Sequence, residues 1–234
     1  MTEPSFPPLF HGQAVDGSID PFAKACTQAV LGCDSGLVVY NLAADRLGAA
    51  IVFAPEVALE EAVSMMPVCG IGFQNALGAL APPEVAVHLD WQGGIRVNGA
   101  SCGRLRMAAS TGMPEEQPDW LVVGLEVPLL PTTDAPGDVP DQTVLHLEGC
   151  AEIEPQQLLE SWVRHTLVWL NHWQDGELNR IHDEWRGLAQ GLGEDIEVDG
   201  EQGVFLGLDE RFGLLLRQSD DTRLIPLSTR LEGV

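Results

Sequence analysis

The chain has 234 residues, 45% of them apolar and 20% charged, the balance of a folded globular protein with one large domain or one medium and one small. With 12 basic residues against 35 acidic ones, the net charge is −23. A surface this acidic repels phosphate backbones and anionic headgroups, which excludes nucleic acid and membrane as expected partners. The opening MTEPSFPPLF has neither the basic nor the apolar region of a signal peptide, and no apolar run reaches the ~18 residues of a membrane span. Residues 1–18 read as an irregular arm punctuated by Pro and Gly.

Asp20-Pro21 opens a helix to about Leu31, with Phe22, Ala25, Cys26, Ala29 and Val30 on one face. GLVVY (36–40) and GAAIVFA (48–54) are buried strands, and Pro55 is expected to start a long amphipathic helix ending at Leu80 before Ala81-Pro82-Pro83. EVAVHLDW and IRVN alternate like the arms of a hairpin, CGRLRMAA follows as a strand with Arg104 and Arg106 on one face, and WLVVGLEVPLL (120–130) is strongly β-forming. Residues 131–142 form an acidic, Pro-rich loop. Helices follow from Pro155 to about Leu170 and over 177–188. After Gly191 the pattern changes to four or five short strands separated by Asp199-Gly200, Arg211-Phe212-Gly213 and Ser219-Asp220-Asp221, as in a small barrel. The expected fold is α/β (α+β): a mixed sheet with helices packed on it over 1–190, then a small SH3-like barrel over 191–234.

Motifs that suggest chemistry are few. GIGFQNALG (70–78) looks like a phosphate-binding loop but lies within a helical pattern, so close helix packing explains it better. His165 and His172 could share a helix face, yet no carboxylate or cysteine stands at metal-ligand spacing, and no metal site is expected. Ser101-Cys102-Gly103 lacks the strand-to-helix setting of a nucleophile elbow. Cys26, Cys33, Cys69, Cys102 and Cys150 show neither CxxC nor zinc spacing and read as free thiols of a reducing, cytoplasmic setting.

Several strings resemble the biotin protein ligase and lipoate ligase family. EWRGLAQGLGEDIEVDGEQGVFLGLDERFGLLLRQSDDTRLIPL is similar to its C-terminal barrel, with Gly203, Gly207, Asp209, Gly213, Leu214 and Leu215 in the hairpin. TVLHLEGCAEIEPQQLLESWVRHTL is similar to its Thr-Ser-Leu segment and following helix, and WLVVGLEVPL to its Gly-Ile-Asn-Val strand. HLDWQGGIRVNGASCGRL (88–105) stands where the family has Lys-Trp-Pro-Asn-Asp and then a strand with a second lysine and a glycine. By this resemblance Trp91 matches the family tryptophan, Asp90 stands in place of lysine, and Gln92, Gly93 and Gly94 replace Pro-Asn-Asp. Gly103 matches the later glycine, the second lysine's place falls near Ser101, and Glu126 replaces Asn. The family's Gly-Arg-Gly-Arg loop is reduced to NLAADRLG (41–48), where Ala44-Asp45-Arg46 echoes Ala-Gly-Arg.

The resemblance implies a ligand site built from Arg46, Asp90, Trp91, Gly93, Gly94, Ser101, Gly103, Arg104 and Arg106, with Trp91 partly exposed to the pocket. It also implies lost catalysis. Adenylating a carboxylate gathers negative charge, losing one preorganised donor that stabilises this charge typically costs about 2.7–4 kcal/mol, and Lys24, the only lysine, is far away in sequence. Arginines favour holding an anion over activating one. The expected function is therefore binding of a small carboxylate without efficient ATP-dependent adenylation. The alternative is an active biotin- or lipoyl/octanoyl-protein ligase or acyltransferase, assisted by Arg46, Arg104 or Lys24, with Asp90 on Mg²⁺, ATP and biotin or lipoate as cofactors, and a carrier protein as partner. A third reading is a scaffold for a protein partner; a homodimer is left open by all three.

Overall fold

The computed structural model describes residues 3–131, 141–219 and 221–233. Most of the expected Pro-rich loop and Asp220 of the last turn lie outside them. The chain runs β1 (His11–Ala14), α1 (Pro21–Val30), β2 (Leu37–Leu42), β3 (Arg46–Phe53), α2 (Leu59–Ala62), α3 (Met65–Leu80), β4 (Val87–Leu89), β5 (Gly94–Val97), β6 (Ala100–Ala109) and β7 (Leu121–Pro128). A short 3-10 turn, Leu145–Glu148, leads to α4 (Pro155–Gln174) and α5 (Leu178–Leu188). The C-terminal part holds β8 (Asp195–Val198), β9 (Glu201–Leu208), β10 (Leu214–Gln218) and β11 (Asp221–Ile225).

Seven strands form a mixed sheet in the order β1-β2-β3-β7-β6-β5-β4, parallel only between β1 and β2. β1 lies in the segment expected to be irregular. Its four residues, HGQA, carry no alternation, and it is paired on one side only, so tertiary pairing and not local pattern makes it a strand. Alternation sorts the central strands onto two faces. Val38, Ile51, Met107 and Val123 pack with α3 and α4, while Val39, Ala50, Ala108 and Val122 pack with Phe22, Ala25, Cys26 and Ala29 of α1. Val30, assigned to the same buried helix face from sequence, is 61% exposed.

The helix expected from Pro55 divides at Val63-Ser64 into α2 and α3, with 55–58 outside both. Pro67 gives the reason. In a continuous helix its nitrogen would have to donate to Val63, which proline cannot do, whereas in the first turn of α3 the missing N–H is tolerated. Every residue of α3 from Met65 to Phe73 is buried, so the segment is not amphipathic. Although no unbroken apolar run reaches ~18 residues, Leu59–Leu80 is long and apolar enough by length and mean hydropathy to pass as a membrane span, yet 72% of its apolar stretch is buried within the protein. GIGFQNALG does serve packing: a Cβ on Gly72 would lie 2.6 Å from Thr166 Oγ1 on α4.

The C-terminal strands make a separate four-stranded antiparallel sheet in the order β11-β10-β9-β8, a small barrel-like unit with β8 and β11 at its edges. It is fastened to the rest of the chain by Trp91, whose Nε1 donates to the Phe212 carbonyl at 2.7 Å, by the ion pair Arg211–Glu60, and by Arg230, which pairs with Asp199 within the unit and donates from Nη1 to Gln92 Oε1 at 3.3 Å.

Candidate functional site

A bulge decides which way the arginines of β6 point. Gly94 of β5 pairs with Arg104 and Arg96 with Ser101, so β6 spends one residue more than β5 over this stretch. Gly103 sits in the bulge at φ +144°, and a Cβ there would lie 2.5 Å from the Glu126 carbonyl oxygen, so glycine is required. As a result Cys102 and Leu105 both enter the core on the α3 side. Arg104 and Arg106 then turn to the α1 face.

There they meet Arg46, from the start of β3, around a cavity of about 240 Å³ bounded by the N-terminus of α1 and by β2, β3, β7 and β6. Small residues floor it: Cβ atoms on Gly48 and Gly124 would lie 3.3 Å from the Pro21 ring and 2.6 Å from Phe22. Asn41 ties down the approach to α1 by donating to Gly17 and Ile19 carbonyls at 3.0 and 3.5 Å. Asp20 caps α1, its Oδ1 accepting the Phe22 N–H at 3.0 Å.

The three arginines are not equivalent. Arg106 Nη1 donates to Asp20 Oδ2 at 2.8 Å, while Nε and Nη2 reach the Glu232 carboxylate at 2.9 and 2.7 Å. Its guanidinium carbon stands 4.2 Å from the centroid of the Phe22 ring. Hydrogen bonds to Glu232, then those to Asp20, raise its pKa further above the ordinary arginine value. Beneath it, burial pushes the Cys26 thiol up to about 11 despite the attraction of Arg106. Arg104 faces its cross-strand partner Glu126 at 2.9 Å, with both side chains well exposed (58% and 44%), a pair worth about 0–1 kcal/mol that a ligand can displace. Arg46 is exposed and has no ion-pair partner among the described residues.

The other expected site residues lie elsewhere, which corrects the expectation of one shared pocket. Asp90, Trp91, Gly93 and Gly94 line a second cavity, of about 20 Å³, closed by Met66, Trp185, Phe212 and Leu227. That is room for about one water. Trp91 is 5% exposed and so is sealed between the sheet and the C-terminal unit instead of opening to a pocket. Its indole N–H needs a partner once buried, and the Phe212 carbonyl supplies it. Asp90 Oδ1 accepts from Arg96 Nε at 3.0 Å, so it is held by a cation and stands apart from the arginine cluster. Gly93 turns the hairpin at φ +95°, where a Cβ would strike the Leu105 carbonyl oxygen at 2.7 Å. Ser101 pairs through its backbone with Asp141 and Thr143. Lys24 is half-buried on α1 and does not line the larger cavity. Among the described residues no group of three His, Cys, Asp or Glu could hold a metal ion.

Sequence reasoning missed Asp20 and Glu232 as partners at this site, although Asp20 was legible as a helix opener. Nothing local marks Glu232: its N–H donates to the Met107 carbonyl at 2.7 Å from 125 residues further along the chain, and only the folded path brings it there.

Residues 6–187 match the biotin/lipoate A/B protein ligase family, and residues 192–233 match a domain family of unknown function. Among solved structures, a biotin protein ligase-like protein of unknown function from Silicibacter sp. is 60% identical, with 99% of this chain and 100% of that chain covered and a TM-score of 0.94. Biotin protein ligase from Aquifex aeolicus is 16% identical over 88% of this chain and 92% of that chain, at a TM-score of 0.72. Biotin protein ligase from Leishmania major, in complex with biotinyl-5-AMP, is 16% identical over 94% and 99%, at 0.55. The last two show the shared fold. No curated protein matches the sequence. With a seven-stranded sheet, its packed helices and the family match over most of its length, this chain belongs to the biotin/lipoate A/B protein ligase family.

Proposed function

We propose that the protein binds a small carboxylate ligand in the cavity between α1 and the sheet, without efficient ATP-dependent adenylation. The observation that carries this reading is Arg46, an exposed cation on a glycine-floored cavity with no ion-pair partner among the described residues, beside the easily displaced Arg104–Glu126 pair. A guanidinium suits a carboxylate because its planar fork can donate two parallel hydrogen bonds. The Aquifex aeolicus ligase occurs in complex with biotin and ATP, which makes carboxylic acids such as biotin, lipoate and octanoate the first probes.

The residues present do not fit a nucleotide triphosphate. Arg104 and Arg106 are already matched by Glu126, Asp20 and Glu232, and Asp90, where the family has lysine, is itself neutralised by Arg96. A triphosphate would meet one unmatched guanidinium at this cavity, among the described residues, together with the carboxylates of Asp20 and Glu126 that line it. No adenylation step is therefore derived.

The test is a thermal-shift titration with biotin, lipoate and octanoate, run beside ATP–pyrophosphate exchange. A saturable rise in melting temperature, lost in Arg46→Ala, with exchange at background, supports the reading. Absence of any shift overturns it, and exchange above background makes the chain a working ligase.

A further inference from the structure

Arginine presents two edges to which a carboxylate can dock, and in Arg106 both are taken. Glu232 holds the Nε/Nη2 edge with three contacts, at 2.9, 3.1 and 2.7 Å, and Asp20 holds Nη1 at 2.8 Å. Phe22 lies against one face of the guanidinium. Arg106 nevertheless lines the cavity, with its side chain 19% exposed. It is a cation placed in a ligand site and already satisfied by the protein's own carboxylates.

The two occupants differ in how they are held. Asp20 is also the cap of α1, so withdrawing it would uncover the first turn of that helix. Glu232 is reached through an extended segment that joins β6 by a bridge between Leu231 and Met107 and one N–H to the Met107 carbonyl. Its carboxylate, 41% exposed, has Arg106 as its one ion-pair partner among the described residues. Of the two, Glu232 is the group whose only evident task is to fill Arg106.

We propose that Glu232 is a specificity-determining residue: by occupying Arg106 it limits the cavity to ligands that carry one anionic group. This inference rests on the reading of the cavity as a carboxylate site. Arg104 and Arg106 are two residues apart on one face of β6, which places their attachment points about 7 Å apart. With Glu232 in place, the cavity offers Arg46 and the displaceable Arg104 to a single carboxylate. With Glu232 neutralised, Arg106 becomes a second docking point, and a dianion gains a charge-assisted hydrogen bond that a monoanion of equal length cannot make.

Isothermal calorimetry with matched acids tests this: hexanoate against adipate and octanoate against suberate, each pair differing only by one carboxylate, titrated into the whole protein and into Glu232→Gln. The expected result is a rise of about tenfold in the affinity ratio of diacid to monoacid in the variant, the factor one added hydrogen bond to a charged group supplies. Glu232→Asp keeps the charge and shortens the reach by one methylene; it raises the ratio in the same direction and decides the matter if the glutamine variant does not fold. A ratio unchanged in a folded variant overturns the role of Glu232. Failure of the unmodified protein to bind any of these acids overturns the carboxylate reading of the cavity instead.

Discussion

The Trp91 indole N–H donates to the Phe212 carbonyl across 121 residues of sequence, at 2.7 Å, and this bond joins the main sheet to the C-terminal unit. Both residues are buried, Trp91 at 5% exposure and Phe212 at 1%. Trp91→Phe keeps an aromatic body but leaves that carbonyl without its donor. The expected cost is about 1–3 kcal/mol, read as a lower midpoint in urea denaturation. An unchanged midpoint would mean that apolar packing and the remaining polar contacts hold the C-terminal unit without this bond.

The glycines of the hairpin turn and of the β6 bulge differ sharply from a glycine in open space. Gly93→Ala would place a methyl 2.7 Å from the Leu105 carbonyl oxygen, and Gly103→Ala one 2.5 Å from that of Glu126, both at positive φ. Each is expected to cost about 1–3 kcal/mol, and Gly103→Ala should also weaken ligand binding by shifting Arg104. Gly112→Ala meets no atom within 4 Å and should be close to neutral. Thermal denaturation of the three variants side by side reads the contrast.

His165 on α4 has its pKa lowered from 6.5, first by burial and then by Arg164. The folded protein therefore binds fewer protons than the unfolded chain where the two forms titrate differently, and stability rises with pH there. The contribution is present above about pH 6.5 and is lost as pH falls toward the lower folded value. His165→Gln should flatten the fall in melting temperature on acidification through this window, relative to the parent protein. A slope identical in the two proteins would show that His165 titrates normally.

Thiol chemistry should single out one residue. Cys26, Cys69, Cys102 and Cys150 are buried, and burial raises all five thiols, Cys26 to about 11 and Cys102 to about 12. Cys33 is the half-exposed one. Since the thiolate is the nucleophile, iodoacetamide at neutral pH should add slowly and at Cys33 first, with the other four labelled only after unfolding. Mass spectrometry of the native protein with a second adduct as fast as the first would contradict the burial described here.

What the sequence by itself determined is most of the elements and their kind, β1 and the division between α2 and α3 excepted. Short continuous apolar runs in LVVY, AAIVF and LVVGLEV, alternation in EVAVHLDW and IRVN, helical periodicity after Pro155, and Gly-punctuated short strands after Gly191 are local signals, because a strand or helix repeats within a few residues. The family resemblance was legible for the same reason, in short strings within single elements. The tertiary structure decided which of the candidate residues share a site. Asp90 and Trp91 are close in sequence to Arg104 and Arg106, yet the hairpin turn at Gly93 puts Trp91 under the C-terminal unit, while the bulge at Gly103 turns the arginines to the other face of the sheet. The state of those arginines depends on partners that no local pattern records. Arg106 takes Asp20 from 86 residues before it and Glu232 from 126 after it, because sheet order and the path of the last segment bring those carboxylates to one guanidinium. An arginine reads the same in sequence whether free or already paired, so whether it can hold a ligand is settled only by the fold.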